Sequence, residues 1–212
     1  MNKGKIVMSN NERIIKPVSD NIDKQRTYTT MLTRYNLAMK DGFYLEAILI
    51  DYAMMEDRLR SFIYHIGGLV DRSSIKIVGK CKKHLKDMVL SYDPKGNLGI
   101  SSITGKLRIV RAILSWEENC EGTPDDKYLK VLKSRLESLD IAGLYDMLKE
   151  IENWNGYRNE CIHSVMNKNI DSLGDEVAVK ANEGMKLARF LDSQVKILKK
   201  KNVVRKAAGL KA

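Results

Sequence analysis

Between residues 43 and 66 apolar side chains return at steps of three and four: Leu45, Ile48, Leu49, Tyr52, Met55, Leu59, Phe62, Ile63 and Ile66. That period fits the 3.6 residues of an α-helical turn and not the two-residue alternation of a strand. Gly67-Gly68 closes the run, so the spacing predicts a helix over 43–66, the strongest periodic element in the chain. Its polar face, with Glu46, Asp51, Glu56, Asp57, Arg58 and Arg60, reads as a solvated, ion-paired surface.

The same period recurs on both sides. A helix is expected from Asn21 through Tyr28, Met31, Leu32, Tyr35 and Met39, stopping at Asp41-Gly42. Others are expected over 73–91 on Ile75, Val78, Leu85 and Met88, over 102–119 on Ile103, Leu107, Val110 and Leu114, and over 125–138 behind Thr123-Pro124. A long helix over 140–166 takes Asp140 as cap, with a bend expected at Asn155-Gly156, and 167–174 reads as a loop. The last helix, over 175–200, turns Val177, Ala181, Ala188, Leu191, Val195 and Leu198 inward, and small Ala181, Gly184 and Ala188 allow close helix approach.

Residues 1–20 show no period and read as a loose N-terminal arm, leaving 21–200 as one helical domain and 201–212 as a basic C-terminal tail. The basic run itself begins earlier, at Lys196 and Lys199, and continues through Lys200, Lys201, Arg205, Lys206 and Lys211. A chain of 212 residues, with 43% hydrophobic residues and three prolines, is long enough to bury a helical core and is neither disordered nor all-β in composition. The fold class is therefore all-α, a helical bundle.

An excess of 37 Lys+Arg over 27 Asp+Glu favours anionic partners, but only where the charge is concentrated. The predicted third helix concentrates it in Lys76, Lys80, Lys82, Lys83 and Lys86, a basic face suited to RNA phosphates. The acidic loop from Glu117 to Asp126 is expected to face away from such a ligand. Cys81, Cys120 and Cys161 form no CxxC pair, so neither a disulfide framework nor a zinc knuckle is expected, and a reducing cytoplasm fits. No run approaches the ~18 apolar residues of a membrane span, and no membrane partner is expected.

One helix carries polar chemistry on its core stripe. Ile141, Leu144, Leu148 and Ile151 share a face that continues through Asn155 and Arg158 to Ile162 and Val165. Asn159 projects near the middle of that face, and Arg158 and His163 flank it roughly 140° apart, a gap that a long guanidinium arm can close.

Arg158, Asn159 and His163, placed late in a helix of an all-helical chain, resemble the signature of the HEPN superfamily (higher eukaryotes and prokaryotes nucleotide-binding): an Arg, a polar residue, then a His about a turn on. The resemblance implies a HEPN-like bundle acting as a metal-independent endoribonuclease of a toxin, abortive-infection or other prokaryotic defence system. It further implies no cofactor, a composite site where two motifs meet across a homodimer, and an antitoxin or defence-system partner, protein or RNA. Where relatives under nucleotidyltransferase control often carry a Tyr two positions after the motif His, this chain has Val165, so Tyr-directed AMPylation is not implied.

The residue types fit that chemistry. A His titrates near neutrality and can act as base or acid. Arg presents a fixed fork to a phosphate and stabilises charge that develops there. Asn159 can bond the phosphate or orient His163 one turn away. One motif supplies one His, so acid and base together call for two copies. Glu56 is expected to hold Arg158, and Tyr157 to stack on a base. His65 and His84 read as surface or cap residues, Cys161 lacks a hydrolase partner, and no spacing suits a metal. The rival reading is a non-catalytic HEPN-like module that binds RNA or a protein.

Overall fold

The long periodic run forms helix α2, Tyr44–His65, and the rest of the chain is arranged on it. The computed structural model describes residues 22–72, 75–164, 174–200 and 202–211, which form eight helices and no strand. In chain order they are α1 (Ile22–Asp41), α2, α3 (Gly79–Tyr92), α4 (Ile103–Asn119), α5 (Lys127–Leu136), α6 (Ile141–Ser164), α7 (Gly174–Lys199) and α8 (Val203–Ala207). The expected arm 1–20 and the stretch 165–173, including Val165, lie outside the described residues.

Helix α2 packs most extensively on α7 and also meets α1 and α4, while α6 packs on α7 and α4, α3 on α4, and α5 on α8. Because α2 is covered from several sides, its buried arc is wide. Ala47, Ile48, Met55, Leu59, Phe62 and Ile63 are inaccessible to within 1%, and so are Asp51, Arg58, Ser61 and His65. This corrects the expectation that Asp51 and Arg58 face solvent: each sits three or four residues from Met54, Met55 or Phe62 and so shares their side of the helix. Conversely, Leu49 is 46% exposed.

A buried guanidinium needs acceptors on all sides. Arg58 donates to Asp192 of α7 at 2.9 Å, to the Tyr28 hydroxyl of α1 at 2.6 Å, and to neighbouring Asp57. Lys24 pairs with Asp57 and Lys196 with Asp192, so the knot ties α1, α2 and α7 together. Burial pushes the Asp57 carboxyl upward, but Arg58 and Lys24 outweigh it and hold the group below its usual range.

Close approach of α2, α6 and α7 depends on Gly184. A Cβ there would stand 2.6 Å from the Trp154 ring and 2.7 Å from the Asp51 carboxylate. The helix starts are set by side-chain caps: Ser102 accepts from the Gly105 amide at 3.1 Å, Asp126 from Leu129 at 3.0 Å and Asp140 from Gly143 at 3.0 Å. Helix α6 then runs unbroken through Asn155-Gly156, where a bend was expected.

Two segments differ from the sequence reading. Helix α3 begins at Gly79 rather than near residue 73, because Ile77 forms an antiparallel bridge with Leu69 and the Val78 amide bonds to the Gly68 carbonyl at 2.9 Å. Leu69 and Val78 are thereby buried across the end of α2, whereas Ile75 is exposed. The expected basic tail is also structured over 202–211. Val204 and Ala208 are buried, and Arg205, 2% exposed, donates to the carbonyls of Leu69 (2.7 Å), Val70 (3.1 Å) and Tyr64 (3.3 Å) with its guanidinium over the Tyr64 ring. Arg205 is a clamp on the α2–α3 connection, not a solvated charge. Buried apolar side chains from all these helices form one contiguous core.

Candidate functional site

Helix α6 carries the motif in its last two turns and is fixed from both sides before it reaches them. Leu144, Leu148 and Ile151 are fully buried. Arg111 of α4 donates to the Leu148 carbonyl at 2.9 Å and to Glu152 at 2.7 Å, and the Trp154 indole N–H donates to the Lys180 carbonyl of α7 at 2.7 Å. The buried stripe continues through Trp154, Asn155 and Cys161, while Ile162 is half-buried.

Arg158 and Asn159 are both half-buried and bonded to each other, Arg158 Nη1 donating to Asn159 Oδ1 at 2.8 Å. The Arg158 guanidinium lies over the ring of Tyr52 on α2, 4.2 Å from its centroid. Its Nε is buried and has no hydrogen-bond partner among the described residues. The Asn155 Oδ1, one turn earlier on the same stripe, is likewise buried without a partner there. His163 is exposed in the last turn of α6, one turn beyond Asn159.

Glu56 meets a different cation from the one expected. Lys106 of α4, fully buried, donates to Glu56 Oε1 at 2.7 Å and lies 3.4 Å from the Ser102 carbonyl. The surface under Arg158 is supplied instead by Tyr52, one turn before Glu56. Burial raises the Tyr52 hydroxyl above its ordinary pKa, Glu56 adds to that and Arg158 opposes it, so all three groups share one electrostatic neighbourhood.

Tyr157 is half-buried at the α6–α7 seam, with Lys180 Nζ 5.6 Å from its ring centroid. Burial pushes its hydroxyl upward, and neighbouring Cys161 and Glu176 push the same way. The lysines Lys80, Lys82, Lys83 and Lys86 are exposed on α3, and exposed Lys76 precedes that helix. Helix α3 packs on α4, which in turn packs on α6, so α4 stands between most of this basic face and the motif.

His65 is not a surface residue. It is 1% exposed, with Nδ1 3.2 Å from Asn202 Oδ1 and Nε2 3.4 Å from Arg72 Nη2. Burial, reinforced by Arg72, lowers its pKa to about 3, which keeps the ring neutral. His84 is half-buried, stacked on Tyr128 at 5.6 Å with Nε2 3.7 Å from Asp126 Oδ2.

Two residues of α2 have positions that the sequence reading does not reveal, Tyr52 under Arg158 and Asp51 beside Gly184. Both carboxylate oxygens of Asp51 are buried and without partners among the described residues. Burial drives its carboxyl up to about 9, the Arg189 charge opposing only weakly, so it is a neutral acid at neutral pH. The available signal was its position four residues before Met55, on the core side of α2.

The end of α6 thus brings together a half-buried guanidinium, the Asn159 amide bonded to it and one exposed imidazole. Among the described residues, no group of three or more His, Cys, Asp or Glu is placed to hold a metal ion. No described helix is long and apolar enough to cross a membrane. No family model matches the chain, and neither a curated protein nor a solved structure matches it.

Proposed function

We propose that this chain is a metal-independent endoribonuclease of HEPN type, cutting RNA at a site shared by two copies. The observation that supports it is Arg158: half-buried, laid on Tyr52 and bonded through Nη1 to Asn159, one turn and a residue before an exposed His163. A guanidinium held in this way offers its remaining donors to a phosphate without first losing conformational freedom.

In the proposed reaction one His163 takes the proton from a ribose 2′-OH, whose oxygen attacks the adjacent phosphorus. The bond from phosphorus to the 5′-oxygen breaks, and the protonated His163 of the second copy gives that oxygen its proton. The products are a 2′,3′-cyclic phosphate and a 5′-OH. Arg158 and Asn159 bind the phosphate while charge grows on it. The other two histidines have different neighbours, so one chain supplies only one such imidazole, and a two-fold dimer completes the pair. The exposed lysines of α3 hold more distant phosphates. A prokaryotic defence or toxin setting in the cytoplasm, with an antitoxin or guide as partner, follows from the resemblance of the motif.

The contact of Arg158 with Tyr52 also favours one rival, in which Arg158 locks α6 to α2 and the chain only binds RNA or a protein. Cleavage of RNA in the presence of EDTA, by a protein whose dimer mass is measured by light scattering, separates the two. A monomer that cleaves RNA rules out the shared site.

A further inference from the structure

One open groove among the described residues lies away from the motif. It lies between α3, α4 and the start of α5, holds about 620 Å³, and is lined by His84, Asp87, Ser91, Tyr92, Ser115 and Trp116 among others. That volume suits a single nucleotide. Its walls combine aromatic surface with solvent-facing polar groups that a ligand can engage. Trp116 is half-buried and Tyr92 is 38% exposed, so both rings reach the groove. The Asp87 carboxylate, the Ser91 and Tyr92 hydroxyls and the Trp116 indole N–H have no protein partner among the described residues. The far wall is fixed, since His84 is stacked on Tyr128, whose hydroxyl donates to the Ile66 carbonyl at 2.8 Å.

One side of the rim is basic, while on the other His84 faces Asp126, and Asn119 and Cys120 belong to the acidic Glu117–Asp126 segment. On α3, Lys80 lies one turn before His84 and Lys83 one turn before Asp87, so both flank the face that lines the groove. Both are exposed and carry no ion pair among the described residues, whereas Arg108 and Arg111 of α4 pair with Asp93 and Glu152.

We infer that this groove binds a guanine nucleotide, either free or as one residue of an RNA chain. The guanine edge presents an N1–H and an N2 amino group side by side, two donors that the paired oxygens of the Asp87 carboxylate accept together. Adenine offers no such pair. Trp116 and Tyr92 supply surface for the base to stack on. Lys80 and Lys83 meet the phosphate, a point-charge contact that needs no fixed geometry. The inference stands apart from the cleavage reading, because no motif residue lines the groove.

Fluorescence provides the test, because the chain has two tryptophans and Trp154 is buried, so a nucleotide in this groove reports through Trp116. GMP is expected to quench emission saturably, with AMP and CMP roughly tenfold weaker or worse, as the loss of a hydrogen bond to a charged group implies. Asp87→Asn is expected to erase the preference for GMP. Asp87 is exposed and makes no bond within the protein, so the variant folds, as circular dichroism will verify. Trp116→Phe removes the signal but retains calorimetric binding, and His163→Ala leaves binding unchanged even if cleavage is lost. Saturation by GMP identifies a free-nucleotide site, while saturation only by an oligonucleotide containing one guanine identifies a base subsite for RNA. Saturation by neither, AMP binding as tightly as GMP, or Asp87→Asn keeping the preference overturns the inference.

Discussion

The guanidinium of Arg158 rests on the ring of Tyr52, 4.2 Å from its centroid, so a residue of α2 sets the plane in which a residue of α6 presents its donors. If that plane matters, the aromatic ring does and the hydroxyl does not. Tyr52→Phe is expected to keep RNA cleavage within a few-fold of wild type. Tyr52→Leu is expected to lower kcat by roughly tenfold or more with little change in KM, while costing only about 0.5–1 kcal/mol of stability, the usual size of a partly exposed cation–π contact. Equal rates for the Leu and Phe variants show that Tyr52 does not position Arg158.

Asp51 gives the fold a pH dependence of definite sign. Its folded pKa, about 9, is above the unfolded carboxylate value, so its contribution is full below about pH 4 and is lost progressively as pH rises towards 9. Across that window stability should fall by up to ~1.4 kcal/mol per pH unit from this group alone. Urea unfolding of the wild type and Asp51→Asn from pH 5 to 9 measures it. The two should be close at pH 5, with Asp51→Asn becoming steadily more stable than wild type as pH rises, and a constant difference contradicts the assignment.

The fold class and the bounds of most helices are legible in the sequence because apolar period alone sets them. The period of α2 does not show how wide its buried arc is, since that depends on which helices cover it; hence Asp51 and Arg58 are buried and Leu49 is exposed against the expectation from spacing. The start of α3 was missed because Ile75 and Val78 fit a helical step, yet the Leu69–Ile77 bridge claims the backbone there. Arg205 looked like one more charge in a basic run, since a clamp on carbonyls from residues 64–70 has no local signature. At the candidate site, the spacing of Arg158, Asn159 and His163 is legible in the sequence, but the contact of Tyr52 with Arg158 is not, because it joins residues over a hundred positions apart.

The packing at Gly184 is tight enough to be tested directly. A methyl group there would collide with Trp154 and with Asp51, and neither can withdraw, since Trp154 is bonded to the Lys180 carbonyl and Asp51 is enclosed. Gly184→Ala is expected to destabilise the protein by ~1–3 kcal/mol despite the better helix propensity of Ala, as overpacking of a filled core does. A rise in the denaturation midpoint contradicts this account of the α2–α6–α7 junction.

The lysines of α3 should contribute to RNA affinity through counterion release. Converting Lys82, Lys83 and Lys86 to Glu is expected to flatten the slope of log affinity against log salt by about two units if three contacts to single-stranded RNA are lost. Fluorescence anisotropy with a labelled oligonucleotide at several salt concentrations provides the slope. An unchanged slope removes α3 from the RNA-binding surface.

The central claim is that Arg158 and His163 cut RNA without a metal ion, and the most direct measurement is the rate and end chemistry of RNA cleavage in EDTA. Wild type is expected to cleave, leaving a 2′,3′-cyclic phosphate and a 5′-OH. His163→Ala and Arg158→Ala are each expected to lower the rate ~10²–10⁴-fold with helicity and dimer mass intact. Cleavage that disappears with EDTA, or that survives both substitutions, contradicts the account and leaves the binding module in its place.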